Sequence, residues 1–341
     1  MKRVLSLAVG FLCVAAWTAN TATAGTLDTV RERGHLKCGI NTGLVGFAAP
    51  DDKGVWRGFD VDFCRAVAAA LFGDAGKVKY TNLTGKTRFT ALRSREVDLL
   101  SRNTTWTFSR DVDLQLSFAG VNYYDGQGFM IPKNLGVKSA HELNGASVCI
   151  QTGTTTELNL ADYFRTHKMT YKAVPIETAS EALTNYLAGR CDVYTTDASG
   201  LAAIRAATDK PDAHMVLPEI ISKEPLGPVV RQGDDQWADT VRWTLNALIA
   251  AEEFDITSAN VKKLAAASNA PEIRRLLGSD ELQGRAALGL APDWAVNVIG
   301  QVGNFGEIFE RNLGKDTPLG LARGLNAQWK NGGLLYAPPF R

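Results

Sequence analysis

Short apolar blocks alternate with stretches in which apolar residues return every three or four positions, and this begins near residue 26. Leu27–Arg33 reads as a short helix. The segment 35–40, HLKCGI, reads as a strand running into the loop 41–47, NTGLVGF. A helix is expected after Trp56-Arg57-Gly58-Phe59, with Asp60 as its cap and Phe63, Val67, Ala70 and Leu71 on one face. A strand over 77–83, a short helix over 88–94 and a strand over 97–101 follow. The same order then restarts: strand 146–150, helix 154–166, strand 170–174, helix 179–188 and strand 191–196. Strands alternating with helices imply parallel sheets with helices on their faces, here two α/β lobes of similar plan.

Two extended stretches, Asn122–Ile131 and Pro225–Val230, bracket the second set of elements. If both cross the same gap, the second lobe is an insertion and the chain returns to complete the first. The reading assigns 25–124 and 228–341 to lobe one, 129–222 to lobe two, and 125–128 with 223–227 to a two-strand hinge. A helix over 237–251 would pack on lobe one through Trp237, Val241, Leu245 and Leu248. The tail 269–341, with helical stretches at 294–303 and 304–312, is expected to wrap lobe one.

The first 24 residues differ in kind. Met1-Lys2-Arg3 precedes an apolar run from Val4 to Trp17, and Ala22-Thr23-Ala24 stands before Gly25. That is the three-part pattern of a cleaved secretory signal. The run falls short of the roughly 20 residues of a membrane span, which disfavours a membrane anchor. Without Lys2 and Arg3 the chain carries 35 basic and 36 acidic residues, and no basic patch argues for nucleic acid. Outside the leader four cysteines remain, Cys38, Cys64, Cys149 and Cys191. An even number in an exported chain favours disulfides. Cys38–Cys64 and Cys149–Cys191 are the favoured pairs, each joining residues near in sequence. A zinc site is the weaker reading, because the spacings are wide and the four histidines share no pattern.

Candidate chemistry concentrates where strands end, the place where open α/β sheets bind ligands. Segment 97–110, VDLLSRNTTWTFSR, ends an apolar strand in Ser101, Asn103, Thr104, Thr105 and Thr107, with Arg110 just beyond. Arg offers a planar fork of donors matched to a carboxylate. In the second lobe Gly153-Thr154-Thr155-Thr156-Glu157 has capping-box spacing, and such a helix start presents backbone N–H groups to an anion. Asp197 ends a third strand. One cation, one anion and two sets of hydroxyls suggest a zwitterion. No G-x-S-x-G or P-loop occurs, and His141-Glu142 lacks the second histidine of a zinc protease.

The order of pieces resembles the polar amino-acid family of periplasmic solute-binding proteins, the receptors of ATP-driven importers. The motifs are GFDVDF at 58–63, RFTAL at 88–92, EVDLL at 96–100, T-x-x-R at 107–110, LSFAG at 116–120, QTGTTTE at 151–157 and GRCDVYTTD at 189–197. The long tail resembles the general L-amino-acid-binding branch. The resemblance implies a type II periplasmic binding protein fold and a broad-specificity receptor, without a cofactor, that hands L-amino acids to a membrane permease. A monomer suits such a hinged receptor. Arg110 would grip the ligand α-carboxylate, with hydroxyl or backbone donors from Thr105 and Thr155. Asp197 and the Asn103 carbonyl would accept from the α-ammonium. Asn41, Leu44 and Phe89 would line the side-chain pocket. Leu44 stands where relatives often place an aromatic, which fits broad specificity. Arg102 replaces a small residue and either reaches the ligand or faces solvent. The rival readings are a periplasmic dehydratase or lyase on the same scaffold and a signalling sensor. The enzyme would need a spare acid or base, such as a Glu facing the pocket, and no candidate is evident in the sequence.

Overall fold

The computed structural model describes residues 25–341, so the expected leader, 1–24, lies outside the described residues. In chain order, α1 (Thr26–Arg33) leads into β1 (Leu36–Asn41), and a small hairpin, β2 (Ala49–Pro50) with β3 (Trp56–Arg57), precedes α2 (Phe59–Phe72). β4 (Val78–Leu83), α3 (Arg88–Arg93), β5 (Leu99–Leu100), α4 (Phe108–Val112) and β6 (Leu116–Phe118) follow. β7 (Tyr123–Asp125) leaves this lobe and β8 (Gln127–Pro132) enters the second. There the chain forms β9 (Ser147–Gln151), α5 (Thr155–Thr166), β10 (Lys172–Ile176), α6 (Ala179–Leu187), β11 (Val193–Asp197), α7 (Ala198–Ala206) and β12 (His214–Val216). β13 (Glu224–Leu226) returns the chain to β14 (Val229–Arg231) and α8 (Asp235–Glu253). The extension adds α9 (Val261–Ala267), α10 (Pro271–Leu276), α11 (Trp294–Val302) and α12 (Phe305–Asn312).

The two five-stranded sheets run β4-β1-β5-β14-β6 and β10-β9-β11-β8-β12, one per lobe. The three strands at one side of each sheet are parallel, as the β-α alternation requires. The sheets are nevertheless mixed, which the parallel expectation missed. β14 lies antiparallel to β5 and β6, and β8 antiparallel to β11 and β12. The reason is connectivity: β8 and β14 are the strands that have just crossed between lobes, and they enter each sheet from the opposite end. β7 and β13 pair antiparallel between the sheets, Glu224 opposite Asp125, and form the two-stranded link.

Burial follows the sequence pattern where the pattern is long. Trp237, Val241, Leu245 and Leu248 of α8 are all buried, and Trp237 Nε1 donates to the Asp98 carbonyl at 3.0 Å. Full burial of each large apolar side chain is worth about 1.5–3 kcal/mol. The tail packs on the first lobe, α11 on α2 and α12 on α8 and α2. Asp62 on α2 pairs with Arg311 at 2.7 Å, and Asn304 starts α12 with a complete capping box. Both disulfides form as favoured, with Cα–Cα distances of 6.2 Å for Cys38–Cys64 and 5.5 Å for Cys149–Cys191.

The expected cap of α2 is corrected. Gly58, at φ +132°, occupies the cap position, because a Cβ there would collide with the Phe47 carbonyl. Asp60 lies inside the first turn, and its buried carboxylate accepts from Ser101 Oγ at 3.1 Å and Asn103 N at 2.9 Å. It organises the loop after β5 instead of starting its own helix. β10 and β11 also begin two residues later than expected, because pairing with β9 sets their register (Lys172 opposite Ser147, Val193 opposite Val148).

Candidate functional site

The loops after β1, β5, β9 and β11 meet where the two lobes face each other. Lobe contact begins at the rim. Gly85 lies against the Thr152 carbonyl so closely that a Cβ would stand 2.8 Å from it, and Lys86 pairs with Glu177 at 3.1 Å. Deeper in, Thr105 Oγ1 and Thr155 Oγ1 are 3.2 Å apart, and Asn103 Nδ2 reaches Asp197 Oδ2 at 3.5 Å. The molecule is therefore in a closed arrangement.

Arg110 is buried on α4, whose start is capped by Thr107. Its Nη1 donates to the Thr105 carbonyl at 2.8 Å, and its guanidinium lies 5.1 Å from the centre of the Phe89 ring. Burial pulls its pKa down to about 10, opposed by the charges of Glu224 and Asp197. Asn103, at φ +31°, passes hydrogen bonding along a chain: Asn41 Nδ2 donates to Asn103 Oδ1 at 2.9 Å, and Asn103 donates onward to Asp197. Asp197 stands at the start of α7 yet makes no capping bond, so its carboxylate is turned to the site. Burial pushes its pKa well above the usual carboxylate range, reinforced by Asp125 and Glu224. Leu44 is buried, its N–H bonded to the Ala48 carbonyl at 2.8 Å, and Phe89 is half-buried between two guanidiniums.

Of the sequence-predicted set, Arg110, Thr105, Thr155 and Phe89 are joined in one chain of contacts, and Asn41, Asn103 and Asp197 in a second. Leu44 joins the main apolar cluster instead. Thr154 caps α5, but Glu157 reaches back to Gly153 N at 3.0 Å, one residue before the cap. Glu157 N is taken by the Thr154 cap, and the N–H groups of Thr155 and Thr156, one and two residues into α5, have no acceptor within the helix.

Four further ionisable groups complete the site. Arg88 is buried and donates through Nη1 to Thr104 Oγ1 at 3.2 Å, with its guanidinium 4.7 Å from the Phe89 centre. Burial, then Arg102 and Arg110, draw its pKa well down. Arg102 does not face solvent: it is buried, donates from Nε to the Leu83 carbonyl at 2.8 Å, and has a pKa lowered by burial to about 10. Arg88 Nε and Arg102 Nη2 have no partner among the described residues. Asp125 accepts from Ser199 Oγ and from Gly126 N at 2.8 Å, and burial raises it to about 6. Glu224, 1% exposed, is the Glu beside the pocket that the sequence reading did not find. It accepts from Thr105 Oγ1, from Thr155 Oγ1 at 2.8 Å, from Asn159 Nδ2 at 2.7 Å and from Ser222 Oγ at 2.9 Å.

Both expected threonine hydroxyls lie on Glu224 Oε2, which competes with a bound molecule for their protons, while the backbone N–H groups of Thr105 and Thr155 are left as the other expected donors. The missed residues left faint traces. Arg88 opens a helix, where the dipole disfavours a cation, and Glu224 interrupts a segment destined for burial. A cavity of about 310 Å³, lined by Trp243, Leu288, Trp294 and Phe340, lies within the first lobe and its extension, so lobe closure does not shape it.

Two lobes closing on a charged cleft define an extracellular solute receptor. The chain belongs to the bacterial extracellular solute-binding proteins, family 3, whose model matches residues 36–260. It is 59% identical over 341 residues to the general L-amino acid-binding periplasmic protein AapJ of Rhizobium johnstonii, covering 100% of this chain and 99% of that one. It is 60% identical over 332 residues to the glutamate/glutamine/aspartate/asparagine-binding protein BztA of Rhodobacter capsulatus, covering 97% and 98%. Among solved structures, an ABC transporter/periplasmic binding protein from Brucella ovis with glutathione bound superposes with a TM-score of 0.90 at 60% identity, covering 93% of this chain and 100% of that one.

Proposed function

We propose that the protein is a periplasmic receptor that captures free L-amino acids of several kinds between its lobes and delivers them, in the closed form, to an ABC-type permease. The observation that carries this reading is the placement of Arg110 and Asp197. A buried cation on one lobe and a buried anion on the other face a common cleft with unspent hydrogen-bonding capacity. Burying the two charges of a free amino acid unpaired would cost many kcal/mol. Each charge-assisted hydrogen bond returns about 1.5–3 kcal/mol, so capture requires both ends to be met. Arg110 and the first N–H groups of α5 meet the carboxylate. Asp197, the Asn103 carbonyl and the Thr105 hydroxyl lone pair meet the ammonium. Because these groups belong to different lobes, ligand favours the closed state through contacts that exist only there.

Lobe one as 25–124 with 228–341, lobe two as 129–222, and a hinge at 125–128 and 223–227 belong to this reading. So do a cleaved leader, a monomeric state and independence from any cofactor. Asn41, Leu44 and Phe89 border the side-chain end, with Leu44 acting through the loop it anchors. The names of AapJ and BztA support breadth across amino acids. The rival dehydratase or lyase would need an acid or base free to work. Glu224 is surrounded by four donors and has no acceptor to serve, which favours a binder. Calorimetric titration with the twenty amino acids tests the proposal: several bind with one-to-one stoichiometry and emerge unchanged. Binding of none, or their conversion, would overturn it.

A further inference from the structure

We infer that Glu224 is a positioning residue that couples lobe closure to the orientation of the binding hydroxyls. Resting on the amino-acid receptor reading, the inference concerns how that site is armed.

The carboxylate stands on β13, the strand linking the lobes, and Oε2 accepts simultaneously from Thr105 Oγ1 of the first lobe and Thr155 Oγ1 of the second. Oε1 accepts from Asn159 of α5 and from Ser222 beside it in the chain. A single buried oxygen can hold both threonines only when the lobes are shut, so the pair of bonds exists in one conformation and is lost in the other.

The second consequence is chemical. A hydroxyl has one proton, and here each is directed at Glu224. The lone pair left on Thr105 then suits an ammonium, while Thr155, its hydroxyl occupied, keeps its backbone N–H for the carboxylate. Glu224 thus fixes which end of a zwitterion may lie against each threonine without touching the ligand itself. It also places a negative charge beside the start of α5, where the helix dipole favours it.

The test compares wild type with Glu224→Gln, keeping size and one acceptor oxygen while removing the charge. Calorimetry is combined with distance-sensitive fluorescence between one label on each lobe. The expected result is that Glu224→Gln, with wild-type circular dichroism, loses roughly tenfold or more in amino-acid affinity, the factor for exchanging a charged for a neutral acceptor. It also populates the closed state less without ligand. Discrimination between an amino acid and its deamino analogue should shrink, and the losses from Glu224→Gln and Thr155→Val should not add, because both break the same bond. Wild-type affinity and closure in Glu224→Gln, or losses that add fully, overturn the inference alone. A merely structural Glu224 would lower thermal stability while leaving the discrimination intact, and that result also overturns it. A wild-type protein that binds no amino acid overturns the receptor reading and this inference with it.

Discussion

Asn103 and Asp197, 94 residues apart in the chain, meet at 3.5 Å across the line between the lobes. Asn103 reaches that point because its backbone sits in the left-handed region and its N–H is tied to Asp60. The contact belongs to the closed molecule, and it places an amide donor on the carboxylate proposed to receive the ligand's ammonium.

Arg110 carries the opposite end. Arg110→Ala should reduce affinity for every amino acid by a similar factor, about 100-fold from the loss of charge-assisted bonds. Calorimetry with chemically different amino acids checks this. A loss confined to some ligands would move Arg110 from the α-carboxylate to the side chain. Substitution of Leu44 should do the reverse, changing the ranking of ligands while leaving the α-end intact.

Binding and stability should respond to pH in opposite directions. Asp197, facing Asn103, Arg88, Asp125 and Glu224, has a pKa raised by burial. A cationic ligand end needs it ionised, so affinity should fall as the solution is acidified through that raised value, with proton release on binding. Asp60 and Asp125 are both raised by burial to about 6 from 3.8. The native state therefore holds more protons than the unfolded chain between about pH 4 and 6. These two groups stabilise the ligand-free protein below that window, and the contribution is lost as pH rises through it. Thermal melts at pH 5 and 7.5, with and without amino acid, should show a ligand-induced shift that grows with pH.

The sequence revealed the fold through its long periodic helices and its repeated strand–helix order. It singled out Arg110, Thr105, Thr155 and Asp197, which the fold brings to the facing sides of the lobes, because each ends a strand or follows one. It did not reveal Glu224, Arg88, Arg102 or Asp125 as one network. Their proximity is set by the crossing of β7 and β13 and by the mixed sheets, which local patterns do not encode. Asp60 was misread because its side chain is a good helix cap in isolation, whereas tertiary packing reserves that position for Gly58.

The disulfides should matter unequally. In the chain-entropy model the 42-residue separation of Cys149–Cys191 corresponds to about 4 kcal/mol, and the 26-residue separation of Cys38–Cys64 to about 3.5 kcal/mol. Denaturant unfolding of Cys191→Ser and Cys64→Ser variants checks this, and amino-acid affinity should survive wherever the fold does.

The C-terminal extension holds the link between the lobes. Asn326 accepts from Tyr124 N at 2.6 Å and donates to the Tyr124 carbonyl at 3.1 Å, so a side chain from the tail completes the backbone bonding of β7. Asn326→Ala should leave two half-buried backbone groups of Tyr124 without their protein partner, costing at most about 1–3 kcal/mol each. Hydrogen exchange at Tyr124 should accelerate, and the open–closed balance read by fluorescence should change.

The central claim is that the ligand's two charges draw the lobes together, and small-angle scattering of the protein with and without a saturating amino acid tests it most directly. The account predicts a smaller radius of gyration with ligand for the wild type, and for Arg110→Ala the same contraction only at roughly 100-fold higher amino-acid concentration. Identical wild-type profiles in the two conditions, with binding established by calorimetry in the same sample, would contradict it.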